Sequence, residues 1–297
     1  MNEGSRFWNG ALTTLGALLI LLFTGGPVLL ALAGSVIPDR VMFASDRGLF
    51  DEVTLENYSY VFTGEIPPAY LKSGANRTMI SDAARQAPRS LWNSAQIALA
   101  ALAINLLVGA PAAFIYARYL FPGKRLTFMF LIMSPLVPTI ALITPIYMMM
   151  ESAGLVGSKL AIILVHATRA LPFTVLILSV FFRKMPQELF EAAVIDGCSR
   201  FQSFVRIAVP LAMAPMAATG LFAFMLSYAE FMFAMVLSGE ASSRPVSVVM
   251  ASLARNPDVS WSLLNTGIVI AILPTVALVA LVWRYVLADL VSGAVKG

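Results

Sequence analysis

Six long apolar stretches, four of them without a single charged residue, leave this chain few folds to choose from. They run from Phe7 to Pro38, Ser90 to Ala117, Leu126 to Met150, Leu160 to Phe182, Ile207 to Ser238 and Val259 to Trp283. Each is long enough for the ~20 residues that a helix needs to cross the hydrocarbon core. Inside lipid no water satisfies a bare N–H or C=O, so such a segment must close its own backbone hydrogen bonds as a helix. Only 12% of the 297 residues are charged, about half of what a soluble domain carries. The expectation is an all-α integral membrane protein of six transmembrane helices, organised as a single transmembrane domain over 1–297. A small-residue stretch, Ala31-Leu32-Ala33, resembles a signal-peptidase site. The apolar run before it is far longer than the ~7–15 residues of a signal peptide, so the first helix is expected to stay uncleaved, with a bend at Gly25-Gly26-Pro27.

Loop charge orients the helices, because Lys and Arg collect on the cytoplasmic side. One side holds Arg6, Arg118, Lys124, Arg125, Arg183, Lys184, Arg200, Arg206, Arg284 and Lys296. The short loops of the other hold Lys159, Arg244 and Arg255. Both termini, the 183–209 loop and the 288–297 tail are therefore expected in the cytoplasm. The 38–90 segment and the 239–258 loop are expected outside. The 38–90 segment reads as a partly ordered lid. In it Thr54 caps a short helix whose Leu55, Tyr58 and Phe62 share a face, ended by Gly64 to Pro68.

The 183–209 loop is the longest polar interruption in the C-terminal half. Pro186 precedes a helix-forming run from Gln187 to Ile195, and Gly197 stands where a helix stops. A second short helical pattern, Phe201, Phe204, Val205 and Ala208, follows before Pro210. The loop therefore reads as two short helices hinged at a glycine on the membrane surface. Its small Ala192 and Ala193 permit close approach of a partner, Glu191 and Asp196 can pair with basic groups, and Gly197 permits a turn that a side chain would obstruct. Such a rigid element can hand a rigid-body movement to the helices it joins. No phosphate-binding loop accompanies it. At Gly123-Lys124, the nearest match, Arg118 takes the place of the first glycine and Arg125 that of the hydroxyl residue. If ATP drives this protein, another chain binds it.

The order Glu191, Ala192, Ala193, Gly197, Ile207, Pro210 resembles the E-A-A-x3-G-x9-I-x-L-P pattern of permease subunits in ABC importers, with Val209 in place of leucine. Further matches are Tyr58 in Leu55-Glu56-Asn57-Tyr58, Asn93-Ser94, Phe121-Pro122-Gly123-Lys124-Arg125, Phe181 to Pro186, and the ending Ser292 to Gly297. Together they are most similar to the carbohydrate-uptake branch, and to the second permease of maltose-type importers. The resemblance implies the type I importer permease fold in the inner membrane of a bacterium. It implies that Glu191, Ala192, Ala193, Asp196 and Gly197 dock in a cleft of an ATPase subunit. It further implies a second permease, two ATPase subunits and an extracytoplasmic solute-binding protein as partners. ATP and Mg would then sit in the ATPase chain, with no cofactor and no catalytic or metal site in this one. The tail from Gly293 to Gly297 would reach toward the ATPase pair.

Ionisable groups inside a membrane are costly and face a cavity or a partner. Here they are His166, Arg169 and Glu230, with Tyr228 nearby. Two readings stay open: these residues line the translocation path, or Arg169 and Glu230 pair within the bundle. Outside, Ser242, Ser243 and Arg244 fall near the tip of a loop that, in maltose-type importers, reaches the solute-binding protein. The single cysteine, Cys198, excludes an internal disulfide framework and reads as a small packed thiol. The net charge of +4 gives no nucleic-acid signal in a membrane protein. An ion-coupled secondary transporter is the rival reading, but it calls for more midplane carboxylates than Glu230 alone. A membrane-embedded enzyme would need clustered ligands, and the chain has one histidine.

Overall fold

The computed structural model describes residues 3–45, 48, 50–66, 82–257 and 259–294, with backbone only for 3–11, 82 and 284–294. Among them the chain is helical, and its one β-feature is an isolated bridge between Gly157 and Ser238. In order the helices are α1 (Glu3–Val36), α2 (Asp39–Met42), α3 (Glu56–Thr63), α4 (Asp82–Arg118), α5 (Lys124–Met133), α6 (Thr139–Ser152), α7 (Lys159–Lys184), α8 (Glu188–Ile195), α9 (Arg200–Ser203), α10 (Val209–Leu211), α11 (Met213–Tyr228), α12 (Met232–Leu237), α13 (Val246–Arg255) and α14 (Trp261–Ala294). Four segments are long and apolar enough to cross a membrane, and two bent pairs bring the total to six if each pair counts as one span.

Residues 1–88 and 249–273 form one compact group. Its first span, Leu12–Val36, is apolar on all sides: in its 18-residue apolar stretch only 6% of the residues are buried within the chain. A helix of that kind takes lipid or other chains as its surroundings. Helix α1 passes through Pro27 without interruption. Its end is fastened by polar groups. Asp39 accepts hydrogen bonds from the backbone N–H of Trp261 (2.9 Å) and Ser262 (2.8 Å), capping α14. Tyr58 donates to the Ser35 hydroxyl and Thr266 to the Ser35 carbonyl. Helix α3 turns Asn57, Tyr60 and Val61 inward, whereas Leu55 and Phe62 are 65% and 59% exposed. The face shared by Leu55, Tyr58 and Phe62 is therefore the more open one, and the packed stripe includes a buried asparagine, bonded to Ser262. Thr54 does accept from the Glu56 N–H, and Gly64 ends the helix at φ 76°. Pro67 and Pro68 lie outside the described residues.

Residues 89–248 and 274–297 form the second group. Helices α4 and α7 are joined at mid-length by Asn105, fully buried, which donates to the Ala167 carbonyl and accepts from Thr174. Two apolar cores result. One gathers Phe114, Phe182 and Phe204 with Ala110 and Ala208. The other gathers Ile97, Ile162, Phe233 and Leu237.

Three span boundaries differ from expectation. Helix α4 begins at Asp82 rather than Ser90, so the polar segment before it is shorter than 38–90. The Leu126–Met150 run is not one straight helix: it bends by 105° between Leu136 and Thr139. Pro138 forces the residue before it out of the helical region, and Val137 is extended at ψ 126°. The fifth run bends by 82° near Ala212. There a π-helical turn, Phe204–Ala208, leads into Pro210, whose missing N–H cannot continue the ladder. The same run breaks again between Tyr228 and Met232.

Candidate functional site

The 183–209 loop folds as two short helices. Helix α8 ends in a Schellman motif: Gly197 N–H donates to the Val194 carbonyl and Cys198 N–H to that of Ala193. Gly197 has φ +83°, and a Cβ built on it meets nothing within 4 Å. The glycine is therefore required by backbone conformation rather than by crowding. Helix α9 starts with a full capping box between Ser199 and Gln202, which satisfies N–H groups that the preceding turn leaves bare.

Beneath the loop lies an aromatic seat. Phe190 packs 5.6 Å from Phe114, which also contacts Phe182 (5.6 Å) and Phe204 (5.2 Å). Arg118, at the end of α4, donates to the Met185 carbonyl and lies 4.4 Å from the Phe190 ring centroid. The loop is thereby tied to the ends of α4 and α7. Its outer face carries Val194 and Ile195, 63% and 86% exposed, with Phe201 at 72%. Glu191, Ala192, Asp196 and Gly197 are exposed around them. Ala193 is not available to a partner: it is 4% exposed and belongs to the inner face of α8. Outward apolar residues at Val194 and Ile195 were missed in the motif reading. For Ile195 the signal was present, since a 3.6-residue period sets it opposite the inward Phe190 and Ala193, whereas Val194, four residues after Phe190, falls by period on the Phe190 side and shows its exposure only in the structure.

The second constellation lies where α11 gives way to α12. His166 Nδ1 is 2.8 Å from the Ser227 hydroxyl, and Nε2 is 3.1 Å from Glu230 Oε2. An ionised carboxylate only accepts, so Nε2 carries a hydrogen, and a neutral ring then accepts from Ser227 at Nδ1. Arg169 Nη1 is 3.2 Å from Glu230 Oε1, and its Nη2 donates to Thr139 at the start of α6. The backbone N–H groups of Phe233 and Ala234 also donate to Glu230, each at 3.1 Å. The carboxylate caps α12 while joining α7 to the break. The guanidinium keeps one exposed side, at 43%, against 7% for Glu230 and 1% for His166. Of the four residues singled out in the sequence, three converge. Tyr228 stacks on Phe224 instead, at 5.5 Å and 16°.

The expected 239–258 loop is largely helix α13, with Val246, Val248, Val249 and Leu253 buried. What remains is a tight turn. Ser243, 2% exposed, accepts from the Gly239 N–H and donates to the Glu240 carbonyl. It is therefore a bracing residue rather than an outward contact, since its hydroxyl is spent on the turn itself. Ser242 is exposed, and Arg244, partly exposed, donates to the Gly239 carbonyl. Asn93 on α4 donates to the carbonyls of Ala241 and Arg244, and Ser94 accepts from the Val246 N–H. Of the terminal motif, Ser292 to Ala294 continue α14, and 295–297 lie outside the described residues.

These features agree with comparison to known proteins. Residues 105–291 match the family described as "Binding-protein-dependent transport system inner membrane component". The chain is similar to the trehalose transport system permease protein SugB of Mycobacterium tuberculosis, with 30% identity over 82% of this chain and 83% of that one. It is similar to the trehalose/maltose transport system permease protein MalG of Thermococcus litoralis, with 27% identity over 96% of both. Its fold matches a chain in the crystal structure of a bacterial ABC transporter involved in the import of the acidic polysaccharide alginate. That match has a TM-score of 0.75 and 17% identity, over 96% of this chain and 98% of the other. The spans, the capped loop between α7 and α11 and the family match converge: the chain belongs to the inner-membrane permease components of binding-protein-dependent ABC transport systems, and is a multi-pass membrane protein.

Proposed function

We infer that this chain is the transmembrane permease subunit of an ATP-driven importer for a carbohydrate or carbohydrate-like solute. It couples ATP hydrolysis in partner subunits to alternating access. It works beside a second permease, two ATPase subunits and an extracytoplasmic solute-binding protein, with ATP and Mg held by the ATPase chains and no reaction catalysed here. Both termini and the α8–α9 loop face the cytoplasm.

The observation that carries this reading is the outer face of α8. An apolar pair, Val194 and Ile195, stands exposed beside Glu191 and Asp196 on a rigidly capped helix, while Phe190 and Arg118 connect that helix to two spans. Such a face fits a groove on a partner, and the aromatic seat passes its displacement to α4 and α7. The solute class rests on relatives named for trehalose and maltose transport. His166, Arg169 and Glu230 stand beside the path, with the exposed side of Arg169 turned to solute hydroxyls or anionic groups. Tyr228 flanks it. Ser242 and Arg244 meet the binding protein, with Ser243 holding their turn.

Purification of the tagged chain from its native membrane, with masses of all associated chains, tests the reading. An ATP-binding chain and a second permease are expected. The chain alone, with uptake insensitive to ATP depletion and driven by an ion gradient, would overturn it.

A further inference from the structure

Helix α5 opens on a basic pocket that none of the features above uses. A cleft of about 600 Å³ lies where α4 and α7 end and α5 begins. Lys124, Arg125 and Arg183 line it, and no acidic residue does. Its wall is aromatic: Tyr116 lies 5.5 Å from Phe121 and 5.1 Å from Phe128. The bases keep donors to spare. Lys124 uses one ammonium hydrogen on the Tyr119 carbonyl, and Arg183 reaches back to Ser179. Arg125 is exposed.

From this pocket an apolar stripe runs along α5. Leu126, Met129, Phe130 and Met133 are 55%, 49%, 64% and 50% exposed. They stand at i, i+3, i+4 and i+7, which is one helix face. Ten residues rise about 15 Å, roughly the depth of one leaflet. The two parts fit one molecule: an ionic head among the bases and an acyl chain on the stripe. Arginine matches a phosphate with paired donors and lysine does so as a point charge, whereas the free ammonium of a zwitterionic head would meet three like charges.

We propose that this pocket and stripe bind one anionic phospholipid, with its phosphate held by Lys124, Arg125 and Arg183 and an acyl chain along α5. The site is independent of which solute the chain carries.

Native mass spectrometry of the full-length chain with its co-purifying subunits, titrated with dioleoylphosphatidylglycerol or dioleoylphosphatidylcholine, tests this. The anionic phosphatidylglycerol is expected to bind more tightly. Each base removed should weaken it about fivefold, and Lys124→Gln/Arg125→Gln/Arg183→Gln on the order of 100-fold. Arg255→Gln, on an exposed base elsewhere, should change nothing. Met129→Gln/Met133→Gln should weaken both lipids. If the triple variant does not assemble, Arg125→Gln alone carries the test. Equal affinity for the two lipids, unchanged binding in the charge variants, or full displacement by inorganic phosphate would overturn the proposal.

Discussion

Glu230 and Arg169, 61 residues apart in sequence, meet with Oε1 and Nη1 3.2 Å apart. The pair is lopsided. Arg169 keeps 43% of its side chain exposed and Glu230 only 7%. Removing Glu230 leaves the N–H groups of Phe233 and Ala234 without their acceptor and takes one partner each from His166, which keeps Ser227, and Arg169, which keeps Thr139; removing Arg169 leaves Glu230 three donors. Glu230→Ala should therefore lower the thermal midpoint of the purified chain more than Arg169→Ala does. The cost comes chiefly from the bared N–H groups at the start of α12, because solvent reaches the released guanidinium. Equal effects would mean that the cluster is not a cap for α12.

Gly197 separates conformation from crowding. With φ +83° and open space around it, the position tolerates asparagine, which visits the left-handed region readily, better than valine, which does not. Gly197→Asn should keep most uptake, and Gly197→Val should lose it with membrane insertion intact. Equal uptake by the two would show that the Schellman turn is dispensable.

Ile195 and Ala193 are two residues apart and should behave oppositely. Ile195→Asp, on an 86% exposed position, should leave the thermal midpoint of the isolated chain unchanged and abolish co-purification of an ATPase chain. Ala193→Leu, at 4% exposed, should lower the midpoint, since added core volume costs about 1–3 kcal/mol. Retained co-purification by Ile195→Asp would remove α8 from the interface.

Two glycines approach back to back outside the cores. A Cβ on Gly239 would sit 3.0 Å from the Gly157 Cα, which is backbone and cannot swing away. Gly239→Ala should destabilise the chain and part the Gly157–Ser238 bridge, read as faster amide exchange at Gly157, whose N–H donates to the Leu237 carbonyl. Gly16→Ala, where an added Cβ meets nothing within 4 Å, should leave the midpoint unchanged or slightly raised.

Asn93 holds the turn between Gly239 and Pro245. Asn93→Ala removes donors from the Ala241 and Arg244 carbonyls and should cost about 1–3 kcal/mol. Limited proteolysis between Gly239 and Pro245 is the readout, with cleavage expected to rise severalfold.

What was legible in the sequence follows the range of the forces involved. Hydropathy acts over a whole run, so the spans were visible. Capping acts over a few residues, so the ends of α8 at Pro186 and Gly197 were visible too. The 105° bend was only half visible: Pro135 and Pro138 mark a break, but its angle depends on what α5 and α6 pack against. Which side of α3 is buried was not legible, because Asn57 is satisfied by Ser262, some 200 residues away. Partners 148 to 152 residues away likewise hid the role of Asn93 and Ser94, which matched a motif without revealing them. Ser243 looked like a tip residue because nothing local shows that its hydroxyl closes the turn on Gly239.

The bonds made by Asn93 bear on how the chain is born. Their acceptors lie 148 and 151 residues downstream. At roughly 5–20 residues per second of synthesis, the amide of Asn93 waits on the order of 10–30 s after emerging before those carbonyls exist. Throughout that interval the N-terminal part of α4 must rely on water or the insertion machinery. The second span therefore enters the membrane early and locks late, and premature termination before Ala241 would leave an inserted helix whose Asn93 never meets its two carbonyl partners.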